Sequence, residues 1–490
     1  MEKGYLHGAY GQTIANSDKV SAQSKTAPIY VGTAPVHTIA DGKKNINEPI
    51  LVTSFAEAAR LFGYSEDWAS YTLCEAMYAH FSLNGIAPLI LINCLNVEAC
   101  KDSIGKTVND TPVNGRIVIS DAGDAILDSV VVGALVKGTD YNIGYDYATN
   151  QIIISQTVPG SLGTSELAIA YDVVDPSKVT VADIKGNTDG EGYTTGLHVI
   201  KDVYQATGFI PSMLLAPGFS CDPDVHKEML ALSEKVNGHW DLFLYVDIPL
   251  LDGATKITME TAYTWKVAKG YTAVNEKVFF PKCIGTDGRI YHISVLACAN
   301  KQVLDAAANG VPYQSSSNTA APVIRNLYFG DSDKELRIDD ATINEKLNKN
   351  GIASAAYTGG KWVVWGTHVG QYDQENANKT NVFETTMLML YYISNDFQHR
   401  RAKEVDQPMT KNRISQIVAE ERTRIDALVS TGALIYGAVY LATSGNDVAD
   451  MQNGDFKIKF DVTTTPLCKS MTALVNWTDK GFETYFAEGE

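Results

Sequence analysis

The chain has 490 residues, with 57 Asp and Glu against 40 Lys and Arg, a formal net charge of −17, and 45% hydrophobic and 20% charged residues. That apolar content excludes wholesale disorder, and at roughly 100–200 residues per domain the length predicts several domains, each with its own core. The acidic balance excludes a general nucleic-acid coat, which needs a basic field to displace counterions from phosphate.

Residues 1–26 are small, polar and glycine-bearing, with no sustained period, and read as an extended N-terminal arm. Residues 27–98 then read as the first part of an α/β core. Short strands are expected at 28–31 and 49–52. Ser54 caps a helix with Phe55, Ala58, Ala59 and Phe62 at i, i+3, i+4 and i+7, and Gly63 stops it. A further helix over 68–83 and a continuous apolar strand over 88–94 complete a pattern that predicts a mostly parallel sheet.

Between 99 and 183 the helical period vanishes. Alternating or β-branched runs at 116–119, 129–132, 140–147, 151–155 and 167–174 are punctuated by Asn114-Gly115 and Pro159-Gly160. The 141–147 and 151–155 runs, joined by a short polar turn, read as a hairpin, and the whole span reads as an inserted, β-rich outer domain. From 184 to 320 the α/β core resumes, with helices expected at 195–207, from Asp222 or Pro223 to Val236, and at 258–269. Its strands are expected at 212–216, 242–246 and 277–281.

Residues 321–454 read as a separate α+β unit, with a strand at 361–365, a long apolar helix at 378–395, an amphipathic helix at 411–429 and a strand at 434–441. Thr410 is the expected N-cap of the amphipathic helix, and Gly432 lies just past its end. Residues 455–490 read as C-terminal strands, at 455–462 and 471–477, and an arm. In the first strand Phe456, Ile458, Phe460 and Val462 alternate with Lys457, Lys459 and Asp461, the period of a one-sided strand.

Motifs for chemistry are scarce. The cysteines (Cys74, Cys94, Cys100, Cys221, Cys283, Cys298 and Cys468) form no CxxC pair and read as thiols of a reducing compartment. The first residues lack the apolar centre of a signal peptide, and no stretch reaches the roughly 20 apolar residues of a membrane span, so a soluble chain made in the cytoplasm, with no membrane insertion, is expected. Ile104-Gly105-Lys106-Thr107 has Cys100 where a phosphate loop needs glycine. Gly190, Gly192 and Gly196 follow a polar loop and are one residue off the dinucleotide fingerprint. Asp331, Asp333, Glu335 and Asp339 echo a calcium loop, but Leu336 stands at the obligatory glycine and Thr342 at the bidentate glutamate. No cofactor or metal is therefore expected. Ser220 and Cys221 follow a strand end, where an α/β enzyme places its nucleophile, with His226 or His239 as the nearest bases. The same Pro-Gly-Phe-Ser-Cys-Asp stretch reads equally well as a turn into an N-cap. His399, Arg400, Arg401, Lys403, Lys411 and Arg413, with Arg422 and Arg424 further along the helix, are the local departure from the acidic background. They read either as a solvated helix end or as a contact for an acidic protein surface.

Several segments resemble the contractile tail sheath proteins of phages and phage-like, tailocin-type particles. Thr26-Ala-Pro-Ile-Tyr-Val-Gly-Thr-Ala-Pro35 is similar to the family's first core strand. Pro49-Ile-Leu-Val-Thr-Ser-Phe-Ala-Glu-Ala58 with Phe62-Gly-Tyr64 is similar to its strand-to-helix opening. Tyr141-Asn-Ile-Gly-Tyr-Asp146 with Ile152-Ile-Ile154 resembles the β-rich domain that many sheaths carry as an insertion, and Leu215-Ala-Pro-Gly-Phe219 a recurrent turn. Asn309-Gly-Val-Pro-Tyr-Gln-Ser-Ser-Ser-Asn318 resembles a GxPYxSPSN-type segment, with Ser316 where Pro is more usual.

The resemblance implies an α/β sheath core with an inserted all-β domain, an α+β C-terminal domain lying inside and extended terminal arms. It implies a non-enzymatic subunit that stacks as hexameric rings around a tail tube and contracts, with neighbouring subunits, tube, baseplate and tail terminator as partners and no nucleic acid. The arms, through Tyr5, Leu6, Tyr10, Ile14, Phe456, Ile458, Phe460, Val462, Phe482, Tyr485 and Phe486, would add to sheets of neighbouring subunits. Arg400, Arg401, Lys403, Lys411, Arg413, Arg422 and Arg424 would face the tube. Assembly would take place in the host cytoplasm, and the product would be a particle tail. Another self-assembling phage structural protein, and an α/β enzyme using Ser220 or Cys221, stand as alternatives.

Overall fold

The computed structural model describes residues 22–40, 42–331, 337–375 and 382–487. The chain divides into two compact units, Met1–Glu421 and Arg422–Glu490. The first is built on an eight-stranded sheet in the spatial order Lys361–Trp365, Ile352–Thr358, Glu276–Phe279, Phe243–Asp247, Met213–Leu215, Ile29–Gly32, Leu89–Asn93 and Ile50–Val52. Neighbours pair in parallel except at the two ends, where Lys361–Trp365 and Ile50–Val52 run antiparallel. The inner strands Leu89–Asn93 and Phe243–Asp247 are buried at every position, which is why both are apolar in sequence up to their last residue.

The helix Phe55–Phe62 forms as its pattern predicts, with the Ser54 hydroxyl accepting from the Glu57 amide at 3.2 Å and Gly63 ending it at a positive φ of 74°. Other elements differ from expectation. The 68–83 helix is α only over Thr72–Met77 and continues as a π-helix over Tyr78–Asn84. The 195–207 helix is 3-10 over Gly196–Asp202 and α over Val203–Thr207. Helix Ile293–Ala307 carries no sequence expectation, because it is buried almost all round and so lacks the one-sided stripe that betrays an amphipathic helix.

Residues 106–171 contribute two three-stranded antiparallel sheets. One has the order Arg116–Ile119, Gln151–Gln156, Tyr141–Asp146, and the other Lys106–Asp110, Leu167–Tyr171, Val131–Val132. The predicted hairpin is present in the register Gln151↔Asp146 to Gln156↔Tyr141. The two sheets share a hydrophobic core of their own, centred on Ile117, Leu127, Val132, Ile152, Ile154 and Ile169. The chain enters and leaves side by side, with Asp102 N donating to Val173 O at 2.8 Å and Asp175 N to Cys100 O at 2.9 Å.

The division expected at residue 321 is not where the chain separates. Ile352–Thr358 pairs in parallel with Glu276–Phe279, so the 352–365 hairpin extends the main sheet and does not open a new unit. Its small residues, buried from Ile352 to Ala356, let the sheet continue under a covering layer. The long helix expected at 378–395 spans Glu384–Arg401, and residues 376–381 lie outside the described part. Helix Lys411–Ser430 has Thr410 at its start, whose hydroxyl accepts from the Arg413 amide at 3.2 Å.

In the second unit Leu434–Leu441 pairs antiparallel with Ile458–Thr464 as an isolated two-stranded sheet. Gly437 lies against Ile425 of the preceding helix, where an added Cβ would come within 2.0 Å of Ile425 Cγ2. The strand expected at 471–477 is absent: residues 465–478 take neither helix nor strand. A segment registers as a strand only when its backbone finds a partner, and among the described residues none pairs with this one.

Candidate assembly surfaces and the buried polar core

The basic residues of the helix Glu384–Arg401 are drawn into an ion-pair cluster. Arg400 meets Glu421 in a two-pronged contact, Nη1–Oε1 and Nη2–Oε2 both at 2.7 Å, and its Nε reaches Asp396 at 2.6 Å. Arg401 adds Nε to Glu421 Oε1 and Nη1 to Glu420 Oε2, both at 2.7 Å. Arg413 is bonded through Nε to Glu404 at 2.9 Å. Burial alone would raise the Glu421 carboxyl, but Arg400 and Arg401 outweigh it and hold it below the usual range. Three of the seven expected tube-facing residues thus spend their charge inside the chain, joining helix Glu384–Arg401 to the start of helix Lys411–Ser430. Lys403 and Lys411 are exposed. Arg422 donates through Nη2 to Val439 O at 3.1 Å, and Arg424 is partly buried.

The expected arm residues fall into three groups. Tyr5, Leu6, Tyr10 and Ile14 lie outside the described residues, and so does the side chain of Phe486. Phe456 lies just before the strand Ile458–Thr464, within which Ile458, Phe460 and Val462 pair with Leu441, Val439 and Gly437 of the chain's own hairpin; all four side chains are half-buried. Beyond the hairpin the chain is bare. Met471, Leu474, Val475 and Trp477 are 77–94% exposed, and Phe482 and Tyr485 on the helix Lys480–Ala487 are 58% and 79% exposed. Scattered exposed apolar residues are ordinary, but six in fifteen residues make a concentrated apolar exposure.

Inside the first unit the core carries a polar network with no sequence signal. Lys277 and Glu384, both fully buried, are joined at 2.9 Å, and the Tyr245 hydroxyl donates to the same carboxylate oxygen at 2.9 Å. The other oxygen of Glu384 accepts from Ser315 Oγ at 2.5 Å and from the Ser316 amide at 3.2 Å. Burial pushes Lys277 down while Glu384 pulls it back. Glu384, which burial would raise, is held low by Lys277 and Ser315. The Ser316 position, where the resemblance anticipates Pro, therefore uses an amide that Pro lacks. Further buried pairs are His226 Nε2–Glu276 at 2.5 Å, with the imidazole stacked 3.7 Å from the Tyr271 ring, and His292 Nδ1–Glu75 at 2.7 Å.

The same network disposes of the nucleophile candidates. Ser220 is fully buried, its hydroxyl 3.5 Å from Asp247 and also accepting from the Asp247 amide at 3.2 Å. Cys221 has its thiol pushed up to about 11 by burial, and His226 is stacked and tied to Glu276, far from poised as a base for either. Among the described residues no cluster of three or more His, Cys, Asp or Glu is placed to hold a metal, and no helix is long and apolar enough to cross a membrane.

The fold is that of contractile sheath subunits. It aligns with the helical sheath of the anti-feeding prophage in its contracted state at a TM-score of 0.55, with 13% identity over 97% of this chain and 100% of that one. It aligns with the contracted sheath complex of an extracellular contractile injection system at 0.53, with 11% identity over 99% of both chains. In sequence the chain is 23% identical to the tail sheath protein of Burkholderia phage BcepMu over 96% of each chain. It is 22% identical to the tail sheath protein of Escherichia phage P2, over 75% of this chain and 86% of that one. No family model matches. These likenesses bear out the resemblance read from the sequence. Its sequence relatives are tail sheath proteins, structural proteins and not enzymes.

Proposed function

We propose that the chain polymerises as stacked hexameric rings around an inner tail tube and contracts to drive that tube through a target cell envelope. The observation that supports this best is the C-terminal unit. It has a two-stranded sheet with no third strand among the described residues, followed by an apolar segment uncovered in its own chain. Such a segment gains stability only by donating backbone and side chains to another copy. Residues 1–26 serve as the second arm. The inserted β domain faces outward, and the helices Glu384–Arg401 and Lys411–Ser430 lie on the tube side.

Lys403, Lys411 and Arg422 supply weak contacts to the tube, whereas the Arg424 guanidinium nitrogens are buried. Arg400, Arg401 and Arg413 stiffen the helices that present them, because exposed charges are screened and worth little while the bonded cluster keeps its geometry. Contraction draws on packing between subunits, with no cofactor, while the arms keep the lattice linked. Baseplate and terminator cap the two ends, and assembly takes place in the host cytoplasm before the tail becomes part of the particle. Negative-stain electron microscopy of the purified chain, with and without tube protein, tests this. Long hollow cylinders of six-fold rings are expected, and small particles under both conditions would overturn it.

A further inference from the structure

We infer that the extended segment following the C-terminal hairpin of one copy seats its apolar face in a groove on the first unit of a second copy. This rests on the assembly reading above and gives one of its arms a side-chain socket in addition to any strand pairing. The groove is a cavity of about 400 Å³ lined by Phe209, Ile210, Met213, Leu388, Tyr391 and Tyr392. That size and aromatic lining suit a few apolar side chains of a ligand, not a water-filled surface dent.

The occupant is chosen by pattern and by charge. In an extended chain alternate residues share a face, so Met471, Ala473, Val475 and Trp477 project together, opposite Thr472, Leu474, Asn476 and Thr478. That is a short apolar comb, and its large teeth are bare in the single chain. Between Asp461 and Asp479 the sequence contains no carboxylate and one cation, Lys469, although the whole chain carries −17. Two such chains repel over most of their surfaces, and this segment is a stretch that approaches another copy without that penalty. The carboxylates at the groove, Asp241, Asp305 and Asp396, are already bonded to Lys235, Lys301 and Arg400, and the lining also carries Lys25, so the groove holds no run of uncompensated negative charge against a neutral segment.

The test uses a peptide of residues 466–480 with a benzophenone side chain in place of Trp477. It is photolysed with the full-length chain at a concentration where the chain is not polymerised, and the labelled residues are mapped by mass spectrometry. Labelling within 208–213 or 388–396 is expected, reduced at least tenfold by excess unmodified peptide and not by the Trp477→Ala peptide. Labelling elsewhere, absent labelling, or equal competition by the two peptides would overturn the inference. So would displacement of the label by a peptide of residues 1–21 and not by the C-terminal one, since residues 25 and 26, which follow that arm, also line the groove. The sheath reading fails separately, on the absence of tubes in the microscope. Tubes without groove labelling sink the socket alone.

Discussion

At the scale of single residues, the features that matter most are buried charges, and they were the least legible in the sequence. Glu276, Lys277, Lys301 and Glu384 look like surface residues by type, and only the fold shows that all four are fully buried. Breaking a buried pair leaves its partner unpaired at a cost of about 3–5 kcal/mol. Glu384→Gln is therefore expected to lower stability by about that amount in chemical denaturation, with Lys277→Met/Glu384→Leu recovering most of it; equal losses in the two variants would show that the pair is not the cause. A second consequence concerns pH. His80 is fully buried, with Nε2 accepting from the Tyr30 hydroxyl at 2.7 Å and Nδ1–H donating to Gln302 Oε1 at 2.8 Å; the Gln302 amide nitrogen is occupied by Thr26 and Pro88 carbonyls, which sets that orientation. Burial lowers the pKa of His80 from 6.5 to about 4. The unfolded chain thus takes up a proton that the folded one refuses, so this contribution is complete above pH 6.5 and is lost as pH falls toward 4. His37, lowered to about 4 by burial, acts in the same direction. Stability measured at pH 7 and pH 4.5 is expected to drop, and His80→Gln to shrink the drop by roughly 2 kcal/mol; an unchanged drop would assign it to other groups.

At the scale of elements, legibility followed amphipathicity. Phe55–Phe62 with its Ser54 cap and the 141–156 hairpin were readable because one face is buried and the other wet, which writes a period into the sequence. Ile293–Ala307 was missed for the opposite reason, being buried on nearly every side. The segment at 471–477 carries a strand's alternation and yet forms no strand in the single chain, since pairing is a property of two segments and the alternation encodes only one. Among the expected surface residues, type identified the cations but not their partners: Arg400 and Arg401 lie some twenty residues from Glu421, too far apart for any helical spacing rule to join them. The packing of the strand Leu434–Leu441 on the preceding helix offers a sharp test. Gly437→Val places a branched side chain where Ile425 already sits, and overpacking of this kind costs about 1–3 kcal/mol. Gly437→Val is expected to loosen the hairpin, seen as faster amide exchange over 434–441 and 458–464, while exchange in the eight-stranded sheet is unchanged. Protection retained in the hairpin would mean that the helix yields instead.

At the scale of the whole molecule, the β insertion is attached in a way that makes it separable. Its core is distinct from that of the α/β layer, and its entry and exit are hydrogen-bonded neighbours, with Lys101 and Val174 forming an antiparallel bridge. A chain that leaves and returns at one point can be cut short there without stretching the scaffold, which is the geometry that tolerates domain insertion and deletion. What holds the insertion at a set angle is a small group of contacts beyond the bridge: the His37 ring nitrogen meets Gly123 O at 2.9 Å, and Lys44 pairs with Asp128 at 3.0 Å. Removing residues 103–172 and joining 102 to 173 through two glycines therefore uncovers a patch around His37, Lys44 and Tyr64, whose ring meets Tyr147, and takes Ile126 out of the main core. The shortened chain is expected to keep the cooperative unfolding of the eight-stranded sheet, with a loss of a few kcal/mol from that uncovered patch, and to polymerise through arms that the deletion does not touch. Loss of the cooperative transition would show that the insertion is an integral part of the core. A folded chain that no longer forms tubes would place lattice contacts on the inserted β domain, and the proposed arms alone would then be insufficient to link the copies.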